Sequence, residues 1–193
     1  MKNAEVFFLI LSLFCFSCHN SNKGDSQNTD QADSATFFQV TQFIKNEVDE
    51  VNKTPYYIYK VEINNGKKDS TPINNTIFNQ LSGTFLKPDL NDKSLKPKYK
   101  VNIFEDQTTQ SFTISYSATD KDLEIQNIEI LLKDDAKTVK RIFIRKFINY
   151  TDSSAIEQLS WRPGESFQIN RSVETADNTE NTRQTTVVWN QKI

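Results

Sequence analysis

The segment TVKRIFIRKFINY, residues 138–150, decides the fold class, because apolar residues occupy both sides of it when the chain is extended. Successive side chains of a β-strand point to opposite faces of the sheet. One side carries Val139, Phe143 and Phe147, and the other carries Ile142, Ile144 and Ile148. Apolar residues on both sides are typical of a central strand that is covered, at least in part, on both faces.

Two arginines, Arg141 and Arg145, share the phenylalanine side of this strand. A guanidinium group presents a planar fork of donors that matches an anion or a carboxylate. These two residues are therefore our candidates for contact with an anion or a partner. We favour the alternative that they pair with acidic side chains or reach solvent.

Further alternating segments lie on both sides of residues 138–150. Phe112, Ile114 and Tyr116 alternate with small polar residues, and the apolar phase of the following strand shifts between Ile125 and Ile128, as a β-bulge would cause. Towards the C-terminus, three shorter runs place apolar residues on one side and polar residues on the other, namely around 159–161, 167–173 and 187–189. The pattern predicts an antiparallel meander of about six strands.

The N-terminal part of the folded region has a different periodicity. Val40, Ile44 and Val51 recur at the three- and four-residue steps of an amphipathic helix, which Pro55 would end. The pair Asn65-Gly66 predicts a β-hairpin, and a second helix should begin at Asn74 or Asn75. We therefore predict an α+β domain in which two N-terminal helices pack on a curved antiparallel sheet, with the hairpin in addition to the meander.

Composition excludes several classes of function. The formal net charge of −2 is not that of a nucleic-acid-binding protein. The only histidine is His19, and both cysteines, Cys15 and Cys18, lie near the N-terminus. The region after them lacks the residues of cysteine or Ser-His-Asp catalysis and of the usual zinc sites. We expect no cofactor, no metal and no enzymatic activity, although chemistry by carboxylates alone is not excluded.

The first residues have the features of an export signal. Lys2 precedes an apolar run over 6–16, too short to span a membrane, and small Ser17 stands before Cys18. Cys15-Phe16-Ser17-Cys18 resembles the lipobox of bacterial lipoproteins, in the loose form that Bacteroidota use. The resemblance implies cleavage before Cys18, lipidation of Cys18 and attachment to a membrane. Because His19 rather than Asp follows the cysteine, we expect the outer membrane.

These features divide the chain into three parts: a signal peptide over 1–17, a lipidated cysteine with a polar tether over 18–35, and one α+β domain over 36–193. The tether, HNSNKGDSQNTDQADSA after the cysteine, has too little apolar area to order itself. We expect a non-catalytic envelope lipoprotein that binds a protein partner or supports an assembly. The alternative is a carrier of a lipid or another hydrophobic ligand, which would need a long apolar cavity that no side chain fills.

Overall fold

The computed structural model describes residues 38–87, 92, 94–177 and 179–190. Two α-helices and nine β-strands form the fold in these ranges. In chain order the elements are α1 (Val40–Lys53), β1 (Ile58–Asn64), β2 (Lys67–Ile73), α2 (Asn75–Ser82), β3 (Tyr99–Asp106), β4 (Ser111–Ala118), β5 (Ile125–Leu132), β6 (Val139–Asn149), β7 (Ser153–Arg162), β8 (Ser166–Thr175) and β9 (Glu180–Val188). A 3-10 turn, Gly83–Leu86, extends α2, and a second, Lys96–Lys98, precedes β3.

All nine strands belong to one antiparallel sheet, in the order β2-β1-β9-β8-β7-β6-β5-β4-β3. The prediction of an α+β domain built on a six-strand meander is therefore wrong, because the fold is β-rich and its two helices are short. Residues 99–106, for which the sequence predicts no strand, form the edge strand β3. The N-terminal hairpin joins the same sheet, since Tyr59 of β1 lies opposite Val188 of β9.

The local signals for the hairpin and the second helix are confirmed. Asn65 and Gly66 both have positive φ angles, 46° and 81°, as a two-residue turn between twisted strands requires. The backbone N–H of Ile77 donates to the side chain of Asn74 at 3.0 Å, which caps the start of α2. Pro72 lies in β2, where proline is tolerated because β2 is an edge strand.

Two irregularities shape the pairing of β5 with β6. The register shifts between Ile125 and Asn127, where the sequence predicts a bulge, and again between Leu131 and Leu132. The second shift changes the phase of β6 at its start. Val139 consequently lies opposite Leu132 and is buried in the core, whereas the sequence places it on the side of Phe143 and Phe147.

The core lies on the face of the sheet that the helices contact, which we call the helix-side face. It contains Ile142 and Ile144 of β6, and we call the other side of the sheet, which carries Arg141, the opposite face. An aromatic cluster fills the space between the strands and residues 75–86, that is α2 with its 3-10 extension, which we call the helical segment. The members of the cluster are Phe78, Phe85, Trp161, Phe167 and Trp189. The rings of Trp161 and Phe167 stack with centroids 5.2 Å apart, and Phe78 of α2 lies 5.8 Å from Phe167.

Candidate functional site

Arg141 and Arg145 lie on the opposite face of β6, which has three strands on one side of it and five on the other. They alternate with Phe143 and Phe147, because residues two apart share a face of a strand. Arg145 is exposed, whereas Arg141 and both phenylalanines are half-buried. The structure thus brings the two candidate arginines onto one surface together with two aromatic rings.

The cross-strand neighbours of these arginines carry no charge. Arg141 lies opposite Leu131 of β5, and Arg145 lies opposite Asn127 of β5 and Gln158 of β7. The guanidinium carbon of Arg141 is 5.4 Å from the centroid of the Phe143 ring, within the range of a cation–π contact. Among the described residues, neither arginine forms an ion pair. Of the two arrangements that we favoured, the described residues provide no acidic partner in an ion pair, whereas Arg145 reaches solvent.

On the strands next to β6 the opposite face is mostly polar, and it carries one exposed carboxylate, Glu129 of β5, which lies opposite Phe143. On β7 and β8 this face carries Gln158, Ser160, Gln168 and Asn170. The amide nitrogen of Gln168 donates to the side-chain oxygen of Asn170 at 2.8 Å, so part of the face is ordered by its own hydrogen bonds. Arginine and aromatic residues within a polar surround are the residue types enriched at protein–protein interfaces.

A buried lysine on the helix-side face is a feature that we did not predict. Lys146 of β6 is only 3% exposed. Its ammonium group donates to the backbone oxygens of Thr84 (2.9 Å) and Lys87, and it lies 3.3 Å from a carboxylate oxygen of Glu124. These contacts hold the end of the helical segment against the sheet. The alternation of β6 places Lys146 on the same face as Ile142 and Ile144, and this spacing is the sequence signal that could have predicted its burial.

A second charged pair, Glu157 and Arg171, lies beside Lys146 on the neighbouring strands β7 and β8. Glu157 of β7 is 5% exposed and accepts a hydrogen bond of 2.8 Å from Arg171 of β8, which also donates to the hydroxyl of Tyr150 at 2.8 Å. A buried carboxylate needs such a partner, because an unpaired buried charge is strongly destabilising. The hydrogen bond to Arg171 therefore stabilises the pairing of β7 with β8.

Two open depressions lie at the turns between β3 and β4 and between β5 and β6. They measure about 290 and 400 Å³, and Gln110 and Asp134 line both. Most of the other side chains around them are polar or charged. Neither depression is the long apolar cavity that a carrier of hydrophobic ligands would need.

Three aspartates stabilise turns of the meander instead of forming an acidic site. Asp106, Asp135 and Asp177 each accept hydrogen bonds from a threonine two or three residues further on. The bonds from Thr138 hold the pKa of Asp135 down to about 2, and similar bonds lower the pKa of Asp106 and Asp177. Hydrogen bonds to the charged form of a carboxyl group favour that form.

The sites expected near the N-terminus lie outside the described residues, and these include Cys18, the polar tether and His19. In the ranges that the structure does describe, no three residues among His, Cys, Asp and Glu are grouped so that they could hold a metal ion. In the same ranges, no helix has the length and apolar character needed to cross a membrane.

No protein-family model matches this chain, and a search of curated proteins finds no significant match. Among solved structures, the S-type phycobiliprotein lyase of Guillardia theta is similar over 79% of this chain and 98% of its own. The sequences are 10% identical and the TM-score is 0.23. At that score the similarity carries no argument about fold or function.

Proposed function

We propose that this chain is a non-catalytic bacterial lipoprotein, anchored at Cys18 in the outer membrane, whose folded domain binds a protein partner through the opposite face. The observation that carries the proposal is the arginine pair. Arg141 and Arg145 lie away from the sheet edges, flanked by half-buried Phe143 and Phe147, and form no ion pair with the described residues.

The chemistry of this surface defines the partner. A guanidinium group pairs best with a carboxylate, through two parallel hydrogen bonds, and gains strength when the pair is shielded from water. Phe143 and Phe147 supply apolar area beside the charges, which would shield them once a partner is bound. We expect a partner segment that presents one or two carboxylates next to apolar side chains.

The filled core argues against the alternative function as a lipid carrier. Phe78, Trp161 and Phe167 are each at most 1% exposed, and their rings are in contact where a ligand would have to lie. A carrier needs a cavity that encloses most of its ligand. The space between the helical segment and the sheet is occupied by side chains, so we prefer the partner-binding function.

Site-specific photocrosslinking in the native envelope tests this function. A photoreactive amino acid replaces Gln158, which is exposed and lies opposite Arg145. We expect crosslinks to one protein species. They should fall at least about tenfold when R141A and R145A remove both guanidinium groups, since the loss of a single charge-assisted hydrogen bond, about 1.5–3 kcal/mol, already has that effect.

The matched control removes the same charge elsewhere. Lys67 and Lys68 are exposed on β2, so K67A with K68A should leave the Gln158 crosslink unchanged. If both double variants reduce the crosslink equally, the effect is one of net charge and the opposite face is not the binding surface. If Gln158 gives no crosslink at all, partner binding at this face is refuted.

The anchor is tested separately on the two cysteines. We expect C18A to abolish the incorporation of radiolabelled palmitate and to move the chain from the membrane to the soluble fraction, because stable anchoring requires acyl chains. C15A should leave both unchanged. Labelling that survives C18A, or that is lost only in C15A, would contradict the assignment of Cys18.

A further inference from the structure

The two edge strands of the sheet, β2 and β3, differ in the side chains that they expose to solvent. The edge strand β2 carries Lys67, Lys68 and Pro72, which are residues that discourage another strand from pairing. The other edge strand, β3, has two large apolar side chains in the open, with Ile103 63% exposed and Phe104 59% exposed. An edge of this kind is a template for pairing with another chain.

The hydrogen bonds of β3 show which of its backbone groups are directed outwards. The N–H of Thr119 donates to the backbone oxygen of Lys98 at 2.9 Å, in line with the register that places Tyr99 opposite Ala118. Backbone groups of an antiparallel strand point alternately to its two neighbours. Even-numbered residues of β3 therefore bond to β4, and Val101, Ile103 and Glu105 direct their N–H and C=O groups to the free edge.

We propose that β3 pairs antiparallel with β3 of a second copy of this chain, about a two-fold axis at Asn102. Such an interface is isologous, so it requires a strand that complements itself when its direction is reversed. In this register Val101 lies opposite Ile103 of the second copy, and each exchanges backbone hydrogen bonds with the other. The symmetry repeats the same pair on the other side of the axis.

The side chains of β3 complement one another in this register. Lys100 lies opposite Phe104 of the second copy on one face, and Val101 lies opposite Ile103 on the other. The lysine that precedes the strand, Lys98, lies opposite Asp106 of the second copy, so that charges of opposite sign close both ends. A register centred on Ile103 would instead place Val101 against the charged side chain of Glu105.

The size of this interface indicates weak association. Each strand contributes eight residues, and paired edges of that length bury less than the roughly 1,200–2,000 Å² of a stable complex. We therefore expect a dimer in rapid exchange, which covalent trapping detects better than a sizing experiment does. The inference is independent of the proposed partner surface, since β3 and β6 are separated by two strands.

A single cysteine at the axis tests the pairing in the full-length chain in its native envelope. The backbone groups of Asn102 point to β4, so across the axis it would form a non-hydrogen-bonded pair, in which Cα atoms are about 4.5 Å apart. That separation suits a disulfide. We expect N102C to form at least about tenfold more disulfide-linked dimer under mild oxidation than controls that lack this geometry.

Two controls use the same substitution elsewhere. S70C places a thiol on the exposed edge strand β2, and F104C places one on β3 at a position that the proposed register keeps away from its own copy. Both should give little dimer, as should the unsubstituted chain. A dimer yield from F104C or S70C equal to that of N102C would overturn the proposal.

A second variant separates pairing from chance collision. I103K added to N102C places a charge in the centre of the interface, and Ile103 is exposed, so the fold should survive. We expect the disulfide-linked dimer to fall at least about tenfold, while the unfolding temperature changes little. Three results would refute the second copy as the occupant: an unchanged dimer, no dimer from N102C, or a disulfide from N102C to a protein of another mass.

Discussion

Replacement of Phe78 by alanine would remove the main contact between α2 and the sheet. The side chain is fully buried, at 0% exposure, and its ring lies 5.4 Å from Trp189 and 5.8 Å from Phe167. Removal of a buried phenylalanine loses its transfer free energy and leaves a cavity, which together destabilise a protein by about 3–5 kcal/mol. For a domain of this size, that corresponds to a fall in Tm of about 10 °C.

The neighbouring residue supplies the control for this variant. Ile77 lies on the same helix but is 40% exposed, so I77A makes the same kind of change without opening the core. We expect I77A to cost less than about 1 kcal/mol. Urea unfolding followed by tryptophan fluorescence would measure both variants, because Trp189 contacts the Phe78 ring. Equal losses for the two variants would refute the packing of α2 on the sheet through Phe78.

Three further predictions follow from single residues. K146M should destabilise the fold by about 1–3 kcal/mol in urea unfolding, because two backbone oxygens lose their charged donor, and K140M at an exposed position should be near neutral. G66A should cost about 1 kcal/mol, since Gly66 has a φ of 81°, whereas G83A, at a φ of −55° with open space around it, should be neutral or stabilising in the same assay. Asp135 has a lowered pKa of about 2, so its contribution is complete above the unfolded-state pKa near 3.9 and is lost as pH falls towards 2. D135N should therefore be less stable than the native chain at pH 5, and the difference should shrink as pH falls to 2. A difference that is constant with pH would contradict this.

The sequence predicted best those strands whose partners are also their neighbours along the chain. The alternation in β6, β7 and β8 correctly separates the core residues, such as Ile142 and Leu159, from Arg141 and Gln158. β3 was missed because lysines surround it and because Ile103 and Phe104 are adjacent apolar residues on different faces. An edge strand that exposes apolar side chains lacks the simple alternation that marks a half-buried strand.

The error in fold class has a different physical origin. Each element of the N-terminal region was predicted in type, but a single sequence contains no signal that joins β1 to β9, since that pairing depends on residues at opposite ends of the fold. The arginine pair was found from residue type and spacing alone. Whether those arginines have acidic partners depends on the register that sets Asn127 and Gln158 beside Arg145, and only the structure provides that register.

The pairing of β1 with β9 also determines how fast the sheet can assemble. The seven other strand pairs each join strands that are consecutive along the chain, so those hairpins can form by closure of a short loop. The pairing of Tyr59 with Val188 instead requires nearly the whole domain to have been synthesised. Closure of so long a loop loses more chain entropy than closure of a hairpin, and contacts between distant residues slow folding. During synthesis from the N-terminus, the β1–β2 hairpin therefore spends the longest time with an unpaired edge. A chaperone, or aggregation with another unfolded chain, would act on this hairpin first.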